Sequence, residues 1–189
     1  LEKNQIHTIE ITGAGEKGEG VGRIGGMTVF VPQALPGERA EILIVKVLKH
    51  YAFGKLLKLI DASPDRTVPA CPAAGQCGGC DFQHCSYALE QRLKTQRVKD
   101  CLSRIGGLDV PVLPILGDGR AHYRNKAQFP VTPQGIGFYA ARSHRVVPTS
   151  SCMLQHENAN RAAALLEQFM KQYHIPAYDE QTGAGVIRH

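Results

Sequence analysis

The stretch Cys71-Pro-Ala-Ala-Gly-Gln-Cys77-Gly-Gly-Cys80 places three thiols within ten residues, separated by small and turn-forming residues. Its glycines let the backbone turn tightly, so that several sulfur atoms can point toward one centre. In a chain without secretory features, thiols spaced this closely indicate a metal or cluster site rather than disulfides. We therefore expect the fold to be organised around a metal centre at this turn.

The sequence leaves the identity of the fourth ligand of such a centre undecided, because three further cysteines follow. Cys85 is the nearest and would give a compact C-x5-C-x2-C-x4-C run. Cys101 falls on the apolar stripe of a predicted helix, which favours a buried core thiol. Cys152 comes 72 residues after Cys80 and would have to return through the tertiary fold. Four thiolates suit structural zinc or an iron–sulfur cluster, and spacing does not separate the two.

Length and composition predict a globular protein of one domain or two small ones. The 189 residues are 43% hydrophobic and 21% charged, as is usual for soluble proteins. No apolar run approaches the roughly 18 residues needed to cross a bilayer, and no leader pattern is recognised. We expect a cytoplasmic protein with no membrane partner, whose cysteines stay reduced unless they bind metal.

The positive charge is concentrated in the middle of the chain. The net charge is +5, and residues 86–145 hold ten Lys and Arg against four acidic residues. An arginine-rich surface suits phosphate groups, because the guanidinium fork matches their oxygens. Ordinary solvated surface explains the same charge equally well.

Residues 5–60 predict a small closed or nearly closed β-barrel. Short runs rich in Ile, Val and Leu alternate with glycine turns, and no helix separates them. Two G-x-G-x-x-G matches, at 13–18 and 20–25, are interpreted as hairpin turns and bulges because a strand follows where a nucleotide site needs a helix. The strands are predicted over 5–12, 27–31, 40–48 and 53–60.

The remainder predicts an α+β arrangement after a linker over 61–69. Ser86 is expected to cap a helix that runs to Ile105 and exposes Arg92, Lys94, Arg97, Lys99 and Arg104. A second helix is expected from Asn158 to Tyr173. Short strands are predicted between them, over 110–116, 125–131, 135–139 and 145–148. The buried stripes are Val98, Cys101, Leu102 and Ile105 on the first helix, and Ala159, Ala162, Leu166, Phe169, Met170 and Tyr173 on the second.

Four further stretches carry a family resemblance: Gly18-Glu-Gly-Val-Gly22, Val31-Pro-Gln-Ala-Leu-Pro-Gly-Glu38, Tyr123-Arg-Asn-Lys-Ala127 and Thr182-Gly-Ala-Gly-Val-Ile-Arg188. Together with the cysteines, they resemble the SAM-dependent RNA uracil-5-methyltransferases, in the branch that acts on 23S ribosomal RNA. The first two are similar to the N-terminal TRAM domain of that family, an OB-like barrel, and the last two are similar to signatures of its central domain. We accordingly predict a TRAM β-barrel over 1–61, a linker and iron–sulfur cysteine turn over 62–85, and a central α+β domain over 86–189, incomplete at its C-terminus.

The resemblance implies a 4Fe–4S cluster held by Cys71, Cys77, Cys80 and Cys152, so that Cys152 replaces Cys85 as the expected fourth ligand. The cluster would be architectural and would tie distant parts of the chain together. The resemblance also implies SAM as the methyl donor, bound by a C-terminal doubly wound domain that carries the catalytic residues. Because that domain is absent from the sequence, no catalytic or SAM-binding residue is assigned, and the polypeptide alone is expected to be inactive.

The implied partner is 23S ribosomal RNA, bound by a monomer without a protein partner. In the central part the candidates are Tyr123, Arg124 and Lys126, because strand alternation would send Arg124 and Lys126 to one face. His122 and Tyr123 are candidates for base stacking, and Tyr123 could equally be a core aromatic. On the barrel the candidates are Lys17, Arg23, Lys46, Lys49 and Lys55.

Three other functions are open. One is a zinc-stabilised RNA-binding module that uses Cys85 as its fourth ligand. Another is an electron-transfer protein, which a single cluster beside a barrel and a basic domain does not favour. The last is a tRNA uracil-5-methyltransferase, because sister enzymes of the family act on tRNA.

Overall fold

The computed structural model describes residues 1–117 and 119–189, which form two compact units. The first unit comprises Leu1–Pro69 with 81–117, and the second comprises Ala70–Cys80 with 119–189. The first contains strands β1 (Ile6–Ala14), β2 (Gly20–Ile24), β3 (Met27–Val31), β4 (Arg39–Val47) and β5 (Tyr51–Asp61), helix α1 (Tyr87–Asp100) and a π-helical turn (Cys101–Ile105). The second contains strands β6 (Val131–Thr132), β7 (Gly135–Tyr139) and β8 (Val146–Pro148) and helix α2 (Glu157–Gln172). The division predicted above, into a TRAM β-barrel over 1–61, a linker and cysteine turn over 62–85 and a central domain over 86–189, stays a prediction.

The strands of the first unit close into a barrel in the order β1-β2-β3-β5-β4, which confirms the predicted barrel. Gly13 lies at a β-bulge of β1, as predicted. Gly20 and Gly22 lie within β2 rather than in a turn, and a Cβ at Gly22 would come within 2.3 Å of the Glu10 carbonyl oxygen. These glycines therefore allow neighbouring strands to approach closely, because they have no side chain in the way. The barrel core consists of Ile9, Ile11, Val29, Val31, Ala34, Ala40, Ile42, Ile44 and Ala52.

A buried ion pair fastens the loop before β4 to the segment after β5. The Glu38 side chain is fully buried, and its carboxylate accepts hydrogen bonds from Arg66 Nε at 2.6 Å and Nη2 at 2.7 Å. It also accepts from the backbone amides of Leu35 at 2.8 Å and Ser63 at 3.2 Å. Arg66 Nη2 donates to the Gln33 carbonyl at 2.7 Å as well. Part of the predicted linker is thus fixed against the barrel.

Helix α1 begins at the predicted residue, because the Ser86 side chain accepts from the Leu89 amide at 3.1 Å. Leu89 packs with Leu35 and Cys85 in a small second core of this unit. The helical path ends at the predicted glycine, Gly106. The predicted basic residues of this helix and turn are all exposed: Arg92, Lys94, Arg97, Lys99 and Arg104.

The predicted buried stripe at the end of this helix is wrong. Val98 and Ile105 are 48% and 84% exposed. Cys101 is also exposed, so it is not the core thiol that its helical position predicted. The predicted strand over 110–116 is wrong too, because these residues have no regular secondary structure and Leu116 is 97% exposed.

The second unit is built on an antiparallel sheet in the order β6-β7-β8. The last two predicted strands are confirmed as β7 and β8, whereas most of the strand predicted over 125–131 does not form. Helix α2 is confirmed, but Phe169 and Tyr173 on its predicted buried stripe are 49% and 59% exposed. In the described parts of the chain, no helix combines the length and the apolar character needed to cross a membrane.

Candidate metal centre and nucleic-acid interface

The cysteine turn of the second unit is shaped by its own backbone. The Cys77 amide donates to the Ala73 carbonyl at 2.8 Å. Gly75 has a φ of 79°, which residues with a side chain rarely adopt. The Gly79 amide donates to the Cys77 sulfur at 3.4 Å. The turn itself therefore orients this sulfur.

Gly78 attaches the turn to the β7–β8 hairpin. Its amide donates to the Tyr139 carbonyl at 2.9 Å, and Cys77 forms an isolated antiparallel bridge with Ala140. A Cβ at position 78 would lie 2.9 Å from the Ala141 amide nitrogen, which is closer than side-chain carbons pack against backbone. The approach of the cysteine turn to the hairpin thus depends on glycine at this position.

Cys152 is positioned by the start of α2. The Asn160 Oδ1 accepts from the Cys152 amide at 3.0 Å, and its Nδ2 donates to the Cys152 carbonyl at 3.0 Å. The same carbonyl accepts from the Gln155 amide at 3.1 Å. Sequence reasoning missed Asn160. Its available signal was a short polar side chain in the first turn of a helix, where such groups bond to nearby backbone.

Two other predicted ligands, Cys71 and Cys152, act electrostatically on the Cys77 thiol. Burial raises the pKa of the Cys77 thiol, and the side chains of Cys152 and Cys71 raise it further. The Gly79 amide and the Arg124 guanidinium act in the opposite direction, because both favour the thiolate. A metal–thiolate centre requires thiolate donors, and a cation near the Cys77 sulfur favours that form.

Cys80, the remaining cysteine of the predicted ligand set, is half-buried in the same unit. Within residues 1–117 and 119–189, no group of three or more His, Cys, Asp or Glu side chains is arranged to hold a metal ion. The residue types therefore suit an iron–sulfur cluster, although the structure does not gather three or more of these side chains around one metal position among the described residues. Ligation by Cys71, Cys77, Cys80 and Cys152 stays a prediction.

Cys85 has the environment of a core residue. It is fully buried, and its thiol donates to the Phe82 carbonyl at 3.2 Å. It packs with Leu35 and Leu89 in the first unit, as an apolar side chain would. This position gives no support to the alternative in which Cys85 is the fourth ligand.

The predicted RNA-contact residues of the second unit lie in an irregular segment. Arg124 forms an isolated parallel bridge with Gln155, but 125–130 is not a strand, so the alternation argument for Arg124 and Lys126 is wrong. Both side chains are nevertheless exposed. Tyr123 is 60% exposed, which contradicts its interpretation as a core aromatic. Their contact with RNA stays a prediction.

The closed barrel of the first unit has counterparts among known domains. Residues 1–57 match the TRAM domain. The match spans β1 to β4 and part of β5, and we therefore call this segment the TRAM-like barrel.

Several bacterial proteins resemble the chain along its length. An uncharacterized RNA methyltransferase of Clostridium tetani is 42% identical over 194 residues, which covers 100% of this chain and 42% of that protein. One from Halalkalibacterium halodurans is 41% identical over 100% of this chain and 43% of its own length. One from Caldanaerobacter subterraneus is 41% identical over 97% of this chain and 42% of its own length. The chain therefore spans less than half the length of these relatives.

A solved structure shares the fold. The tRNA (uracil-54, C5)-methyltransferase of Pyrococcus abyssi, crystallised with S-adenosyl-L-homocysteine, superposes with a TM-score of 0.67 at 24% identity. The superposition covers 95% of this chain and 41% of that protein. It thus extends well beyond the TRAM-like barrel.

The predicted basic residues of the TRAM-like barrel are all exposed. Arg23 follows Gly22 on β2, and its Nη1 donates to the Gly26 carbonyl at 3.0 Å. Exposure fits both RNA contact and ordinary surface, so the role of these residues stays a prediction. The five residues are Lys17, Arg23, Lys46, Lys49 and Lys55.

Proposed function

We propose that this chain is the RNA-binding, cluster-bearing part of a SAM-dependent RNA uracil-5-methyltransferase that acts on 23S ribosomal RNA. The observation that supports this most directly is the similarity, along the full chain, to relatives named RNA methyltransferases. The TRAM-like barrel offers a surface for RNA. Methyl transfer and SAM binding belong, in this proposal, to the part of the relatives that the chain does not span, and the chain by itself does not methylate RNA.

In this proposal Cys71, Cys77, Cys80 and Cys152 hold a 4Fe–4S cluster, which when bound supplies a cross-link between the cysteine turn and the segment before α2. Gly78 holds the turn against the hairpin, and Asn160 holds the backbone of Cys152. Arg124 places a positive charge near the Cys77 sulfur and so favours its deprotonated form.

The chain purified without oxygen is expected to absorb visible light and to contain iron and sulfide. Cys77→Ser and Cys152→Ser are each expected to abolish this absorbance, because a four-thiolate centre loses one ligand. Cys101→Ser is the matched control, because Cys101 is an exposed thiol outside the predicted set. Visible spectra and metal analysis make the comparison. A colourless protein with bound zinc favours the zinc-stabilised RNA-binding module, and a protein without metal contradicts the centre altogether.

RNA binding by the chain is expected to weaken as salt rises. If three basic side chains of the barrel contact phosphates, affinity for single-stranded RNA falls about twentyfold between roughly 50 and 200 mM salt, because counterions are released on binding. Fluorescence anisotropy with labelled RNA at several salt concentrations measures this dependence. A flat response would exclude phosphate contacts as the main source of affinity.

A tRNA substrate is the second candidate, and the named activity of the Pyrococcus abyssi neighbour favours it. The two substrates are distinguished by measuring binding of the chain to folded 23S rRNA fragments and to tRNA at the same salt concentration. Tighter binding to rRNA supports the first candidate, and tighter binding to tRNA supports the second.

A further inference from the structure

Three aromatic rings form a cluster on the TRAM-like barrel, and we call Phe30, Tyr51 and Phe53 the aromatic triad. The ring centroids are 5.7 Å apart for Phe30–Tyr51, 5.7 Å for Phe30–Phe53 and 5.6 Å for Tyr51–Phe53. Tyr51 packs edge-on against both phenylalanines, with interplanar angles of 89° and 83°. All three residues keep solvent-exposed surface, and Tyr51 is 39% exposed.

The triad lies outside the barrel core. Successive side chains of a strand point to opposite faces, and Val29 and Ala52, which flank triad residues in β3 and β5, are fully buried inside. The triad therefore contributes its rings to the outer surface. Phe30 pairs with Phe53 across the parallel β3–β5 contact, which brings the Phe30 ring beside the two rings of β5.

Basic side chains surround this aromatic surface. Lys46 pairs with Phe53 across β4–β5, and Lys55 lies two residues further along β5 on the same face. Arg23 pairs with Thr28, which in turn pairs with Tyr51. In the described strands, no acidic residue pairs with a triad residue or lies two residues from one. The surface is thus aromatic at its centre and positive at its edge.

We propose that the aromatic triad is a stacking platform for unpaired RNA bases, with Lys46, Lys55 and Arg23 contacting the flanking phosphates. This inference rests on the proposed RNA-binding function and names the surface that performs it. Exposed aromatic rings with cations beside them bind single strands, because every base has a face that can stack on a ring and the phosphates are attracted to the positive charges.

A single tryptophan tests the platform directly, because the chain contains none. In the Phe53→Trp variant, a short unlabelled oligouridylate is expected to quench tryptophan fluorescence as a base stacks on the indole. The matched control is Ile60→Trp, which places the reporter at a 45% exposed position of the same strand outside the triad. Quenching confined to Phe53→Trp supports the platform, and equal or absent quenching in both variants overturns it.

Affinity measurements separate ring stacking from general apolar character. Tyr51→Leu keeps an apolar side chain but lacks a flat ring, and it is expected to bind the RNA about tenfold more weakly. Tyr51→Phe keeps the ring and is expected to bind within about twofold of the unmodified chain. Circular dichroism spectra of both variants confirm that the barrel is intact.

The outcomes distinguish this inference from the function on which it rests. If the unmodified chain binds RNA and the Tyr51→Leu variant binds it equally well, the proposal that the triad stacks RNA bases is wrong, and the proposed RNA-binding function is retained. If the unmodified chain binds no RNA, the proposed function fails as well. Concentration-dependent self-association that Tyr51→Leu abolishes, with RNA affinity unchanged, would assign the surface to a second copy of the chain and overturn the platform.

Discussion

Replacing Glu38 with alanine is expected to lower the free energy of unfolding of the first unit by about 3–5 kcal/mol, because it removes one partner of a buried ion pair. The substitution leaves the Arg66 guanidinium without its carboxylate. It also leaves the amides of Leu35 and Ser63 without the acceptor that they share. Urea unfolding followed by circular dichroism measures the loss.

The same carboxylate makes the stability depend on pH. Burial by itself would raise the pKa of Glu38, but hydrogen bonds from Arg66, Leu35 and Ser63 and the charge of Arg66 outweigh it, so the pKa lies below the ordinary 4.5. A carboxyl group whose pKa is lower in the folded state than in the unfolded state stabilises the fold at pH values above the unfolded-state pKa. That stabilisation is lost as the pH falls through the folded-state pKa. The stability difference between the unmodified chain and Glu38→Gln is therefore expected to be largest at neutral pH and to shrink below pH 4.5.

A second Glu–Arg pair of the same unit provides the control. Glu16 and Arg97 pair at 2.9 Å, but their side chains are 72% and 53% exposed. Exposed pairs contribute about 0–1 kcal/mol, because water already solvates both charges. Glu16→Ala is thus expected to change stability little. Equal losses from Glu38→Ala and Glu16→Ala would show that burial does not set the value of the Glu38–Arg66 pair.

The barrel and the two helices could be predicted from sequence because their signals are local. Runs of β-branched residues between glycines define strands, and Ser86 provides a hydroxyl where the helix needs an acceptor for its free amides. The position of Glu38 could not be predicted in this way. Its partner Arg66 is 28 residues away, in a segment without periodicity, and only the closed barrel brings the two together.

The wrong predictions share one physical cause, which is that an apolar pattern does not reveal whether a partner surface exists. Val98 and Ile105 recur at helical spacing, yet they extend past the small core around Leu89 and stay exposed. Residues 110–116 are rich in Val, Leu and Ile but pair with no strand among the described residues. The aromatic triad could not be predicted either, because Phe30 lies beside Tyr51 and Phe53 only after β3 and β5 pair.

For the candidate metal centre, which stays a prediction, the sequence indicates the residue types of the ligands but not the residues that position them. The close spacing of Cys71, Cys77 and Cys80 indicates a shared site, whereas only the family resemblance points to Cys152. The structure adds the electrostatic effect of Cys152 on the Cys77 thiol and the Asn160 side chain that holds the Cys152 backbone. Such supports are single residues whose role depends on tertiary position, so no local pattern indicates them.

Gly78→Ala is expected to destabilise the second unit by about 1–3 kcal/mol, because the new methyl group has no room and the backbone must move. The added carbon would meet three backbone atoms of the β7–β8 hairpin at 2.9–3.1 Å, on Ala141 and Tyr139. Since Cys77 bridges to Ala140 beside this contact, the shift would also displace the Cys77 sulfur. We therefore expect a lower melting temperature and, if the proposed cluster is present, a large loss of visible absorbance.

The neighbouring glycine makes this prediction specific. A Cβ at Gly79 would meet the Cys77 sulfur at 3.4 Å, an ordinary van der Waals contact, so Gly79→Ala is expected to fit. Both substitutions restrict the unfolded chain by the same amount, so the difference between them reports the folded state alone. Thermal unfolding and visible spectra of the two variants, prepared side by side, make the comparison. If Gly78→Ala proved as stable as Gly79→Ala, the attachment of the cysteine turn to the hairpin would not constrain Cys77, and any centre built there would have to be held by its ligands alone.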